Sequence, residues 1–168
     1  MWSTVCSSDI MAVICFRFPE EEYGFLSNWY LSDFKVDGIK YSSLEQYMMY
    51  QKARYFKDDE IMDEILKTDN PSEIKALGRK VSNFNSNIWN GIRQIVIYKG
   101  LLAKFNQNDD LKEKLKATGD DILAECSRSD RIWGIGLSLE DDDRLDISKW
   151  KGQNLLGYAL MMVRQQLQ

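Results

Sequence analysis

The amino-acid sequence predicts an α+β fold, a predominantly helical single domain with a few short β-strands. Three observations lead there. Several stretches place apolar residues at helical spacing behind a recognisable N-cap, strand-like runs are few and short, and no linker, repeat or low-complexity segment divides the chain. With 168 residues, 44% of them hydrophobic and 29% charged, the chain can bury most of the surface that its unfolded form exposes.

Residues 1–9 read as a loose leader, and Ile10–Phe16 is short, apolar and partly β-branched enough to be a buried strand. The leader and this possible first strand make up residues 1–15, and the domain proper runs over 16–168. Tyr23–Trp29 forms an aromatic loop in which Asn28 can contact a ligand or satisfy a turn. Phe34–Tyr41 alternates around Asp37-Gly38, a strong short hairpin signal. A hydroxyl at Ser42 or Ser43 followed by Glu45 or Gln46 is a capping-box pattern, so a helix starts there. Asp58 or Asp59 caps a short helix, and Asn70-Pro71-Ser72-Glu73 starts another that ends near Gly78-Arg79-Lys80.

Ser86 opens the longest helix, with Trp89, Ile92, Val96, Lys99, Ala103 and the neighbouring Ile88, Ile95 and Leu102 at core spacing. Gly91 and Gly100 inside it suggest that something packs close. A helix around Asp110–Lys116 and a break at Thr118-Gly119 lead to a strand at Ile122–Cys126. The loop 127–136 gathers Asp130, Arg128, Arg131, Trp133, Gly134 and Gly136, a makeup that suits a ligand. Glu140–Asp143 reads as a solvated excursion. Gly152–Gly157 opens a last helix with Leu156, Ala159, Leu160, Val163 and Leu167 towards the core. Lys151 and Asn154 at its positive end would suit an anion.

Composition narrows the chemistry. A net charge of −4 gives no basic field for long nucleic acid, so a nucleotide would be gripped locally. Cys6, Cys15 and Cys126 are odd in number and lack metal-type spacing, which supports neither a disulfide framework nor a thiolate zinc site and points to a reducing compartment. The chain contains no histidine, so Asp, Glu, Lys and Tyr must move any protons. Neither a cofactor nor a metal is indicated. The apolar run 10–16 lacks a basic flank and is too short to span a bilayer, so a cytoplasmic protein with no membrane partner is expected. Glu45 and Lys52 fall on one helical face about 10 Å apart along the axis. That lines one groove with an acid and a base, unless Glu45 only caps the helix and Lys52 is solvated. The positive helix end should favour ionised Glu45.

Taken in order and spacing, Gly24–Asn28, Ser43–Tyr47 with Gln51-Lys52, Gly78-Arg79, Trp89, Lys104-Phe105, Asp130–Gly136 and Trp150–Gly157 resemble the YbiA-like, or NADAR, family over about residues 16–167. The acidic insertion before Trp150 resembles the longer NADAR form. The resemblance implies an enzyme that hydrolyses N-glycosidic bonds to phosphorylated ribose. Its substrate would be an early intermediate of riboflavin biosynthesis, releasing ribose 5-phosphate, or ADP-ribosyl-guanine, releasing ADP-ribose, with possible contact to ADP-ribosylated DNA. Catalytic roles are then implied for Glu45, Lys52 and Asp130, with Lys151 competing for the lysine role. Asn28, Tyr47, Arg79, Trp89, Arg131, Trp133, Gly134, Lys151 and Asn154 would bind substrate, with Trp89 or Trp133 stacking the base. Gln46 stands where many members have histidine. The competing class is a non-catalytic module that binds ADP-ribose or an NAD-type nucleotide. Nothing in the sequence indicates an oligomeric state.

Overall fold

In a computed structural model that describes residues 11–168, strand β1 (Val13–Phe16) pairs in parallel with β4 (Ile122–Glu125), Val13 opposite Ile122 and Phe16 opposite Glu125. The expected leader, Cys6 and Ile10 lie outside the described residues. Strands β2 (Phe34–Val36) and β3 (Ile39–Tyr41) form the expected hairpin. Its turn needs two left-handed residues, Asp37 at φ 51° and Gly38 at φ 80°, which explains the Asp-Gly pair.

Six helices follow among the described residues: α1 (Leu44–Tyr55), α2 (Asp59–Leu66), α3 (Pro71–Gly78), α4 (Ser86–Asn106), α5 (Asp109–Ala117) and α6 (Leu155–Gln166). The caps at Ser43, Asp58 and Asn70 fall where the sequence places them, and Asn85, one residue before the expected start at Ser86, caps α4. Ser43, Asp58, Asn70 and Asn85 each accept a backbone N–H of the first turn that follows. The Ser43 box is shifted by one residue, because Gln46 Oε1 returns to the N–H of Ser42 at 2.7 Å. Gln46 Nε2 also donates to Ile65 O and Thr68 O, both at 3.0 Å, so this residue fastens α1 to the end of α2.

Helix α1 packs against α2, α3 and α4, and α6 covers both α4 and β4. The core between them holds an aromatic group of Phe34, Tyr41 and Tyr47, with Phe105, Leu101, Leu156 and Leu160 nearby in the same cluster. Gly100 lets α4 approach α1, since a Cβ there would overlap the Tyr47 ring. Gly91 has open space instead, so the expected close contact exists at one of the two glycines only.

The buried face of α4 differs from the expected one. Trp89, Arg93, Ile97, Gly100, Leu101, Lys104 and Phe105 are buried, whereas Ile95 is 73% exposed and Ile88 is also exposed. Apolar residues occur on more than one side of this helix, so the chosen stripe was displaced. The acidic stretch is also more than an excursion. Asp141 accepts from Ser138 N–H at 2.7 Å and from the Arg128 fork at 3.0 and 3.1 Å, and short 3₁₀ turns follow at Asp142–Leu145 and Ile147–Lys149. No described helix is long and apolar enough to cross a membrane.

Candidate active site

The hairpin hands the chain directly to Ser43, so Glu45 lies in the first turn of α1. Its N–H donates to Asn28 O at 2.9 Å. That bond joins the first turn to the loop formed by Gly24–Trp29, whose other side is held by Lys104. From α4, Lys104 Nζ donates to Phe25 O at 2.7 Å and to Ser27 O at 3.4 Å, fully enclosed. Together they frame a cavity of about 330 Å³, within the range of small-molecule sites. Glu45, Met48, Met49 and Lys52 line it from α1, and Lys75, Gly78 and Arg79 from α3 and its end. Arg17–Pro19, Ser27–Trp29, Glu125, Asp130 and Trp133 complete the wall.

Two carboxyls in this cavity are reluctant to ionise. Burial pushes Glu45 up to about 7, reinforced by the negative charge of Asp130 and opposed by Lys75, Lys52 and Arg79. Burial likewise pushes Glu125 up to about 7, aided by Asp130 and Glu45 and opposed by Arg17 and Lys75. The expectation that the helix end keeps Glu45 ionised is therefore corrected. Glu45 is only 9% exposed, and desolvation of a charge outweighs a terminal-turn effect of about 0.3–1 kcal/mol. Lys52 is half-buried and shifted down, first by burial. Its Nζ donates to Gly78 O at 2.7 Å and sits 4.3 Å from the centre of the Phe84 ring.

Asp130 turns one oxygen inward to its own loop, Oδ1 accepting from Ile132 N–H at 3.0 Å and Trp133 N–H at 2.8 Å. This fixes Trp133, whose buried neighbour Arg93 lies 5.8 Å from the ring centre. Asn28 Oδ1 and Glu125 Oε2 are buried with no hydrogen-bond partner among the described residues. Two unmatched buried polar atoms on residues lining one cavity call for ligand groups to bond with.

Of the residues expected from sequence, Glu45, Lys52, Asp130, Asn28, Arg79 and Trp133 meet at this cavity. The other six do not line it. Tyr47 is sealed in the aromatic core and Trp89 is buried in the same cluster, because large aromatic side chains serve as core as readily as stacking platforms. Gly134 packs behind the loop, where a Cβ would come within 2.9 Å of Glu125 O and Asp130 O. Asn154 is fully buried at φ 51°, donating to Leu123 O at 2.9 Å and accepting from Glu125 N–H at 3.1 Å. It binds β4 to α6 and has no polar group left for an anion. Lys151 and Arg131 brace the loop through their backbones, Lys151 N–H donating to Ile135 O and Arg131 O accepting from Gln153 N–H. Gln46 is also enclosed and does not line the cavity.

Sequence reasoning missed Arg17, Trp29, Lys75 and Glu125. Glu125 had a readable signal, a carboxylate ending an apolar strand just before a ligand-type loop. Arg17, just beyond β1, is brought beside it by the parallel pairing, with Nη1 3.4 Å from Glu125 Oε1.

This chain is 40% identical over 147 residues to the N-glycosidase R617 of Acanthamoeba polyphaga mimivirus, covering 84% of this chain and 86% of that one. It is 33% identical to the N-glycosidase YbiA of Escherichia coli (strain K12), covering 92% and 88%. The NMR structure of E. coli YbiA superposes with a TM-score of 0.76 over 92% of this chain and 84% of that one. A riboflavin biosynthesis protein of Vibrio vulnificus, VVA0006, is 34% identical over 92% of this chain but only 38% of its own length. With the NADAR domain matched over residues 15–168 as well, the chain belongs to the NADAR family.

Proposed function

We propose that this cavity hydrolyses the N-glycosidic bond of a ribose that carries phosphate. The observation that carries this reading is a buried Glu45 facing a wall of Lys52, Lys75 and Arg79 across one small cavity. The protein is an N-glycoside hydrolase, as its relatives R617 and YbiA are named. A pure binding module has no need for a desolvated carboxyl poised near neutrality.

Loss of the base from ribose C1′ builds oxocarbenium character, and Glu45, in the fraction ionised around and above pH 7, stabilises that charge in a water-poor site. The cations of α1 and α3 hold the phosphate. Trp133 stacks the leaving base, a contact of about 1–3 kcal/mol. Asp130, with Oδ1 committed to its loop, receives the proton of the attacking water through its other oxygen. Asn28 Oδ1 accepts a sugar hydroxyl.

Lys52 lines the cavity, as Lys75 does, and Lys151 does not, which supports giving Lys52 the lysine role. Its lowered pKa raises the share of neutral amine able to form an imine at C1′ of an opened sugar. Borohydride reduction followed by peptide mapping assigns its part: an adduct at Lys52 marks the imine route, and no adduct leaves it a phosphate contact.

The decisive experiment is product analysis by mass spectrometry. A ribosylamino-pyrimidine phosphate of riboflavin synthesis and ADP-ribosylated guanosine DNA are offered separately, with Glu45→Gln as the control. Release of ribose 5-phosphate from the first or ADP-ribose from the second, abolished in E45Q, is the expected result. Wild-type turnover by E45Q would remove Glu45 from the mechanism.

A further inference from the structure

Glu125 ends β4 on the cavity wall with its side chain only 13% exposed. Its Oε1 reaches Arg17 at 3.4 Å, well beyond the 2.7–2.9 Å of a strong charge-assisted hydrogen bond. Its Oε2 is buried with no hydrogen-bond partner among the described residues. A buried carboxylate oxygen with nothing to accept is unfavourable, whereas a carboxylic acid with its O–H directed at a ligand nitrogen is satisfied.

We propose that Glu125 is a catalytic residue, the general acid that passes a proton from its carboxyl to the nitrogen leaving ribose C1′. This rests on the N-glycosidase reading above and extends it. The C1′–N bond breaks with both electrons going to nitrogen, which takes the Glu125 proton. Water adds through oxygen to C1′ and gives its proton to Asp130. Solvent then returns a proton to Glu125 and removes the one on Asp130, so the balance is one bond hydrolysed by one water.

The surroundings decide which of the two glutamates holds the proton. Glu45 is faced by Lys75 and Arg79 from α3 and its end, by Lys52 on its own helix, and by Asp130. Glu125 is faced by Asp130, by Arg17 after β1, by Glu45, and by Lys75. Two acids in one cavity give up their protons one at a time, since the first charge opposes the second. Burial raises both to about 7, so the choice rests on geometry: Glu45, faced by three cations, is assigned the charge, and Glu125, whose Oε2 has no hydrogen-bond partner among the described residues, the proton. Glu125 is left protonated over the interval in which Glu45 is charged, which is the split of roles that paired catalytic carboxyls need.

The test is steady-state kinetics across pH with the full chain on the ribosylamino-pyrimidine phosphate and on ADP-ribosylated guanosine DNA. Glu125→Gln should lower kcat by about 100-fold or more with little change in KM, and should erase the alkaline limb of the profile near pH 7. Glu125→Ala should regain part of its rate with added formate, which a merely structural side chain would not allow. An E125Q enzyme with an unchanged alkaline limb and near-normal kcat would overturn the assignment. If E45Q is inactive in that same case, the N-glycosidase reading stands without Glu125. Wild-type protein that cleaves neither substrate would overturn both together.

Discussion

Lys52 and Lys104 make the same kind of bond in two regions of the molecule. Each stands in the last third of its helix, donates to backbone carbonyl oxygen at 2.7 Å and lies beside aromatic rings, Phe84 for Lys52 and Tyr30 and Phe105 for Lys104. Burial lowers the pKa of both, that of Lys104 to about 7. What separates them is access. Lys104 is fully enclosed and spends its donors on the Gly24–Trp29 loop, while Lys52 opens onto the cavity. Desolvation alone therefore does not mark a candidate reactive lysine; desolvation at the edge of a cavity does.

Three experiments press on that contrast. The largest effect is expected from Lys52→Met, which should reduce turnover by about 100-fold or more while leaving the urea midpoint near wild type; removing a charged group that acts in the transition state has consequences of that order. A large loss of stability in K52M would instead make Lys52 a structural anchor like Lys104.

Lys104→Met should do the converse, lowering stability by roughly 2–4 kcal/mol because the enclosed carbonyls of Phe25 and Ser27 lose their donor. Its sign with pH is fixed. In the unfolded chain this lysine holds its proton up to the ordinary value of 10.5, while in the fold it releases it near 7. The unfolded state thus binds more protons between those values, so the lysine's contribution to stability rises with pH across that window. Denaturant titrations of wild type and K104M at pH 6.5 and 9.5 should show the gap between them widening at the higher pH; a narrowing gap would contradict the depressed pKa. The smallest effect is one of order in time. A limiting amine-specific acylating reagent should mark Lys52 before Lys104, and early labelling of Lys104 in folded protein would show that its enclosure opens.

The same contrast explains what could be read from the chain. Local chemistry was legible: Ser43, Asp58, Asn70 and Asp37-Gly38 each act on residues within a turn of themselves. So was the meeting of Glu45, Lys52 and Asp130, through the order of family motifs. Facing direction was not. Ile95 on α4 was expected in the core and is exposed, while Lys104 is enclosed, because a helix with apolar residues on several sides does not declare which side the sheet and loops will cover. Tyr47, Trp89 and Asn154 sit in motifs that border the site, yet they serve as packing and bracing behind it. The ionisation of Glu45 was misjudged for the same reason, since desolvation depends on walls contributed by distant segments. Glu125 and Arg17 escaped because their partnership exists only across the β1–β4 pairing.

That pairing also sets a schedule. Ala12 and Asp121, at the start of the two strands, are joined by a hydrogen bond across 109 residues, and the Arg17–Glu125 contact lies at the other end of the same ladder. Closing so long a loop is entropically slow relative to forming helices and hairpins. During synthesis the N-terminal strand must wait for nearly the whole domain to emerge before its partner arrives. Helical signal should consequently return early in refolding and enzymatic turnover late, so the protein reports the completion of its own folding by becoming active.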